Sequence, residues 1–153
     1  MAEVAGGREM VWVRFVGDNQ AVPAITGLVY LGLSVRDARR SAVWYRELLG
    51  LETVRERLDG ADRDEVLLRE PTSGVLIGLV AHPGNDGEPF SEFRTGLDHA
   101  ELGVPSREAL EEWVERLDEL GVEHSGIKEA ALGAMVTFRD PDNIQLELYW
   151  PYP

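Results

Sequence analysis

The chain contains no cysteine among its 153 residues and few basic side chains, with 15 lysines and arginines against 28 aspartates and glutamates. The lack of cysteine excludes disulfides, zinc–thiolate sites and a thiol nucleophile, and it suits the cytoplasm, where we expect the protein. The net charge of −13 repels phosphate backbones and anionic lipids, so nucleic-acid and membrane-surface roles are disfavoured. The same charge favours a cationic ligand, although an acidic surface also serves solubility alone.

Long hydrophobic runs are also absent, and none approaches the roughly 18 residues that a membrane span needs. Residues 1–7 include Glu3 and lack a long apolar core, so we expect no secretory signal. Glycine-rich phosphate loops, Gly-x-Ser-x-Gly elbows and HExxH sequences do not occur. What the chain does have is 44% hydrophobic residues, which is typical of a globular domain with a core of its own.

An internal repeat organises the chain. Gly27-Leu28 reappears as Gly96-Leu97, and the same offset relates three further apolar positions: Leu33 to Leu102, Val35 to Val104 and Trp44 to Trp113. Because these matches occur in order and include two tryptophans, we interpret them as a duplication. We expect both tryptophans in the core or at an interface.

Each half begins with an alternating strand and continues with an amphipathic helix. Asp37 is a suitable N-cap for the first helix, which we expect to end at Gly50, and Ser106 precedes the second. Turn residues then separate three more predicted strands in each half, near residues 51–58, 65–69 and 75–81 and near 122–129, 134–139 and 144–150. The sequence therefore predicts an α+β fold of two tandem βαβββ modules whose curved mixed sheet surrounds a cavity.

The domain organisation follows from the repeat. We expect a first module over residues 26–82, a linker rich in glycine and proline over 83–95, and a second module over 96–153. Residues 1–25 form an N-terminal extension, in which residues 11–16 are either an edge strand or a docking arm.

Polar side chains alternate with the core residues and therefore lie on the open face of each sheet. In the second half this places His99, Glu101 and Glu147 on the face opposite the helix. Imidazole nitrogen and carboxylate oxygen together suit a divalent ion such as Mn, Fe, Ni or Zn. His99 and Glu147 are the predicted first ligands and His82 the best third candidate, with Glu101 and Tyr30 next.

Each of these residues also has a structural interpretation. The alternative role of His99 is that of a hydrogen-bonded pocket residue, and Glu147 is also suited to pair with Arg55 or Arg69. His82 lies at a strand end before a proline, where a solvated turn residue is common. Tyr30 is a candidate cavity wall or substrate-contacting hydroxyl. Glu101 is suited either to accept a hydrogen bond from a ligating side chain or to be the counter-charge for a cationic ligand.

The residues 31–35 (LGLSV), 44–51 (WYRELLGL) and 140–148 (DPDNIQLEL) resemble the vicinal oxygen chelate superfamily, which includes glyoxalases, extradiol dioxygenases and bleomycin-binding proteins. The resemblance covers roughly residues 25 to 150. It implies metal ligands at the positions of Tyr30, Gly78, His99 and Glu147, of which only the last two are standard ligand types. It also implies a homodimer.

Two functions are expected from this resemblance. The first is a metalloenzyme that binds a small substrate through two vicinal oxygens, with Glu147, Glu101 and Tyr30 as catalytic residues. The alternative is a metal-free protein that binds a drug or metabolite, as bleomycin-resistance proteins do. A regulator with a vestigial cavity is a third possibility.

Overall fold

The computed structural model describes residues 27–153, so the predicted N-terminal extension lies outside the described residues. The first module contains β1 (Tyr30–Ser34), α1 (Ala38–Leu49), β2 (Glu52–Arg57), β3 (Asp64–Arg69) and β4 (Leu76–Ala81). The second repeats this order with β5 (Ala100–Gly103), α2 (Arg107–Glu119), β6 (His124–Ala130), β7 (Gly133–Arg139) and β8 (Gln145–Pro151). The predicted α+β class and the two βαβββ modules are confirmed.

The strands form two mixed sheets of four, in the orders β1-β4-β3-β2 and β5-β8-β7-β6. The first strand of each module pairs in parallel with the last, and the remaining pairs are antiparallel. Among residues 27–153, no strand of one sheet pairs with a strand of the other, so the two four-stranded sheets are unclosed.

Local sequence signals define both helices. The side chain of Asp37 accepts a hydrogen bond from the Arg40 N–H at 3.0 Å, and Gly50 ends α1 with a φ of 67°. Only glycine adopts that left-handed conformation without steric cost. Ser106 caps α2 by accepting from the Ala109 N–H. Within the described part of the chain, neither helix is long and apolar enough to cross a membrane.

Each helix covers one face of its own sheet, α1 against β3 and β4 and α2 against β6, β7 and β8. The helix-facing strand positions are buried, as the alternation predicts. They include Leu33, Leu68 and Leu79 in the first module and Val136, Leu146 and Leu148 in the second. The opposite faces therefore carry the polar residues.

The modules contact each other through the turn between β7 and β8. Asp142 accepts from the Arg36 Nε at 2.5 Å and from the Ser41 Oγ at 3.0 Å, while Asp140 accepts from the Tyr45 hydroxyl at 3.0 Å. Both aspartates are buried. Trp44 contributes an apolar contact, with its ring 6.3 Å from that of Phe138, and the predicted turn thus also joins the modules.

Candidate metal centre

Three potential ligands meet on the open face of the second sheet. Glu101 lies on β5 as the register partner of Glu147 on β8, and His99 directly precedes that strand, two residues before Glu101. One ligand atom from each side chain lies within 4.8 Å of the others. Among residues 27–153, this is the one group of three such side chains with that spacing.

His99 is oriented by its neighbour in the chain. Its Nδ1 lies 2.6 Å from a carboxylate oxygen of Asp98, and its Nε2 lies 3.6 Å from Glu101. A histidine that donates Nδ1–H to a carboxylate presents Nε2 as a ligand, an arrangement common around bound metals. The hydrogen bond to Asp98 raises the pKa of His99, burial opposes this, and the negative charge of Glu147 adds to the rise.

Glu147 is the buried member of the group, with 6% of its surface exposed. Its Oε1 accepts hydrogen bonds from the Gln145 Nε2 at 3.0 Å and from the Thr137 Oγ1 at 3.4 Å. Within residues 27–153, no hydrogen bond reaches its Oε2. One oxygen is thus held by the protein, and the other is the one that remains for a ligand.

The exposed members are His99 and Glu101, whose side chains retain 34% and 45% of their surface. The site therefore carries negative charge and is open to solvent at His99 and Glu101. Imidazole nitrogen with two carboxylate oxygens is a donor set that Mn, Fe and Zn accept. The residues present therefore fit a divalent ion.

Two other predicted site residues lie outside this group. His82 follows β4 as an exposed residue whose carbonyl accepts from the Asn85 N–H in a turn. Tyr30 lies on the open face of the first sheet with its ring across Gly32 and Gly78, so that a Cβ added to Gly78 would overlap its hydroxyl. The resemblance implies first-module ligands at Tyr30 and Gly78, and in the structure the phenol of Tyr30 lies over Gly78 instead.

The alternative ion partners of Glu147 are engaged elsewhere. Arg55 pairs with Glu65 at 3.2 Å, and Arg69 pairs with Glu52 at 2.8 Å. Glu147 therefore forms no ion pair with either arginine.

Comparison with known proteins agrees with this architecture. The profile of the glyoxalase/bleomycin resistance protein/dioxygenase superfamily matches residues 27–148. The chain belongs to this superfamily.

Its relatives in the superfamily include enzymes. A putative ring-cleaving dioxygenase of Bacillus subtilis, MhqA, is 29% identical over 134 residues; the match covers 81% of this chain but only 40% of the relative. A glyoxylase/bleomycin resistance protein/dioxygenase domain from Frankia sp. EAN1pec has a TM-score of 0.78 and 32% identity, and the match covers 84% of this chain and all of that domain.

A more distant superfamily structure shares the fold. The fosfomycin resistance protein FosX from Listeria monocytogenes, crystallised with Mn(II) and 1S,2S-dihydroxypropylphosphonic acid, has a TM-score of 0.63 and 22% identity. The match covers 82% of this chain and 93% of FosX.

Sequence reasoning missed two residues that orient the candidate ligands His99 and Glu147. Asp98 adjoins His99 in the chain, and Gln145 shares the strand face of Glu147 two positions away. Period-two alternation places Gln145 on the correct face. It does not show which neighbour a flexible amide or carboxylate will choose.

Proposed function

We propose that this chain is a metal-dependent enzyme of the glyoxalase/dioxygenase type, acting on a small substrate that presents two adjacent oxygens. The observation that carries the proposal is the convergence of His99, Glu101 and Glu147 within 4.8 Å on one open sheet face. The Mn(II) bound by FosX and the ring-cleaving description of MhqA support it. The metal is a divalent ion of the Mn, Fe, Ni or Zn group.

In this proposal His99 and Glu147 hold the ion, and Glu101 supplies the third protein donor. A divalent ion bound here would supply Lewis-acid stabilisation of negative charge that develops on the substrate oxygens. The hydrogen bond from Nδ1 to Asp98 orients the neutral imidazole so that its Nε2 lone pair is the one available to the ion. Glu101, the most exposed of the three, is also positioned to accept a proton from a substrate.

We further propose that the enzyme is a homodimer. Leu28 and Val29 lead into β1, an outer strand of the first sheet among residues 27–153, and are 71% and 70% exposed. Adjacent exposed apolar residues next to an unpaired strand edge are typical of interaction surfaces. Light scattering should give twice the chain mass for the wild type, and a Leu28→Lys, Val29→Lys variant should be monomeric.

A second candidate function is a metal-free binding protein for a cationic drug or metabolite. Tyr30 favours it, because a tyrosine lying over Gly78 provides an aromatic surface in place of a metal ligand. The net charge of −13 would steer a cation towards the protein. Under this alternative, binding weakens with added salt and is indifferent to chelators.

The activity test compares the wild type with a Glu147→Gln variant. Apo-protein is loaded separately with Mn, Fe, Ni and Zn and assayed with catechols and with glutathione hemithioacetals. We expect turnover with at least one ion and loss of it in Glu147→Gln, because an amide is a poorer ligand than a carboxylate. Equal turnover by the variant contradicts the proposal, whereas salt-sensitive binding without turnover supports the binding protein.

A further inference from the structure

A chain of hydrogen bonds connects the segment between the modules with the buried carboxylate of the candidate metal centre. Glu92, from the predicted linker, accepts from both terminal nitrogens of Arg139, at 2.7 and 3.2 Å. The same Arg139 Nη2 donates to the Gln145 Oε1 at 2.8 Å. Gln145 in turn donates from Nε2 to the Glu147 Oε1 at 3.0 Å.

The donors and acceptors in this chain fix the orientation of the Gln145 amide. Guanidinium nitrogens only donate, so the group that faces Arg139 must be the amide oxygen. The Nε2 of Gln145 is then turned towards Glu147, where it can only donate. The carboxylate and Arg139 thus select the same orientation of the amide, and Arg139 anchors the amide oxygen at the other end. Without Arg139, the Gln145 side chain would lose the contact that holds it beside Glu147.

The linker segment that carries Glu92 is itself hydrogen-bonded to the second module. The Phe90 N–H donates to the carbonyl of Asp142 at 2.8 Å, and the Asn143 Nδ2 donates to the carbonyl of Phe90 at 2.8 Å. Arg139 also donates to the carbonyl of Asn143 at 3.0 Å. The side chain of Glu92 is consequently only 25% exposed and meets Arg139 in a two-point ion pair.

We infer that Gln145 and Arg139 are positioning residues for the metal-binding carboxylate, and that Glu92 makes this positioning depend on the docked linker. Resting on the proposed function, this inference adds that Gln145 holds the Glu147 Oε1 so that Oε2 faces the ion. Arg139 acts only through Gln145. Partners of this kind fix the geometry of a ligand and commonly alter metal affinity by about 10- to 100-fold.

Mn(II) alone is the probe, titrated into metal-free protein and followed by electron paramagnetic resonance of the free ion. Gln145→Met keeps the side-chain length but removes both hydrogen bonds, and we expect it to weaken Mn(II) binding by about 10- to 100-fold. Arg139→Met should also weaken Mn(II) binding, but by a smaller factor than Gln145→Met. In the Gln145→Met background, Arg139→Met should have no further effect, because effects within one network are not additive.

Arg57→Met is the matched control, since Arg57 forms an exposed ion pair with Asp62 in the first module. It should bind Mn(II) like the wild type, and melting temperatures show which variants are folded. If Gln145→Met does not fold, a loss of Mn(II) affinity in folded Arg139→Met still supports the inference, and unchanged affinity contradicts it.

Two further outcomes separate the inference from the function on which it rests. Wild-type protein that binds no Mn(II) contradicts the proposed metal centre itself. Wild-type protein that binds Mn(II), together with a Gln145→Met variant that binds it equally well, contradicts only the positioning role. An Arg139→Met effect that persists undiminished in the Gln145→Met background contradicts the route through Gln145.

Discussion

Side chains next to the candidate ligands determine the geometry of the centre. His99 is directed by the carboxylate of Asp98, and Glu147 is held by Gln145 and Thr137. These contacts hold the imidazole and the buried carboxylate separately, and they leave one atom of each side chain available to a metal ion. The centre therefore depends on residues that do not themselves ligate.

Tyr45 gives a pH-dependent prediction at the residue scale. Burial, with a contribution from Asp140, raises the pKa of its phenol well above the ordinary value of 10.0. The neutral Tyr45 phenol therefore contributes its full stabilisation of the folded protein below pH 10. This contribution is lost as the pH rises towards the pKa of Tyr45 in the folded state, by up to about 1.4 kcal/mol per pH unit. Tyr45→Phe should remove this part of the alkaline loss.

The measurement is urea unfolding of wild type and Tyr45→Phe between pH 7 and 11. At pH 7 the variant should be less stable by about 1–2 kcal/mol, because Asp140 loses its hydrogen-bond donor. The difference should shrink above pH 10. A difference that is constant over the whole range would contradict the linkage to this phenol.

At the scale of strands and helices, much was predictable from the sequence. Period-two alternation and helix caps depend on local chemistry, and the observed elements follow them: Asp37 and Ser106 cap the helices, and His99, Glu101 and Glu147 share a face. The glycines of the open faces were not explained by such patterns. Two of them, Gly78 and Gly133, lie against the rings of Tyr30 and Tyr149.

Gly133 and Gly78 provide a matched pair of substitutions. A Cβ at Gly133 would overlap the carbonyl oxygen of Trp150 and the ring of Tyr149. At Gly78 the nearest atoms to a Cβ all belong to the phenol of Tyr30, which is 40% exposed. Because backbone yields less readily than an exposed side chain, Gly133→Ala should cost about 1–3 kcal/mol. Gly78→Ala should cost clearly less.

Thermal or urea unfolding of the two variants checks this order. In a Tyr30→Ala background, Gly78→Ala should be nearly neutral, because the overlapping ring is gone. A Gly78→Ala variant that is less stable than Gly133→Ala would show that Tyr30 is not free to move.

At the scale of the whole molecule, the two modules are joined by buried polar contacts as well as by apolar packing. Asp142 connects to Arg36 and Ser41, which are more than a hundred positions away in the chain. The sequence of residues 140–143 predicts a turn, but a turn pattern carries no information about a distant partner. For the same reason the repeat predicts two modules without predicting that their sheets remain separate.

Asp142→Ala tests this junction. The variant should lose about 2–3 kcal/mol, because the hydrogen bonds of a buried carboxylate are removed and Ser41 is left without its acceptor. Asp62→Ala, which breaks an exposed ion pair with Arg57, should change stability by less than about 1 kcal/mol. Equal effects of the two substitutions in urea unfolding would contradict a stabilising role for the junction.

The most direct test of the proposed centre is the metal content of protein purified without chelators or nickel affinity, measured by elemental analysis. We predict near-stoichiometric Mn, Fe, Ni or Zn in the wild type, loss of the ion in His99→Ala, and retention of the ion in His82→Ala, because His82 lies outside the group of candidate ligands. Wild-type protein that stays metal-free after soaking with each ion, or His99→Ala that keeps its metal, would contradict it.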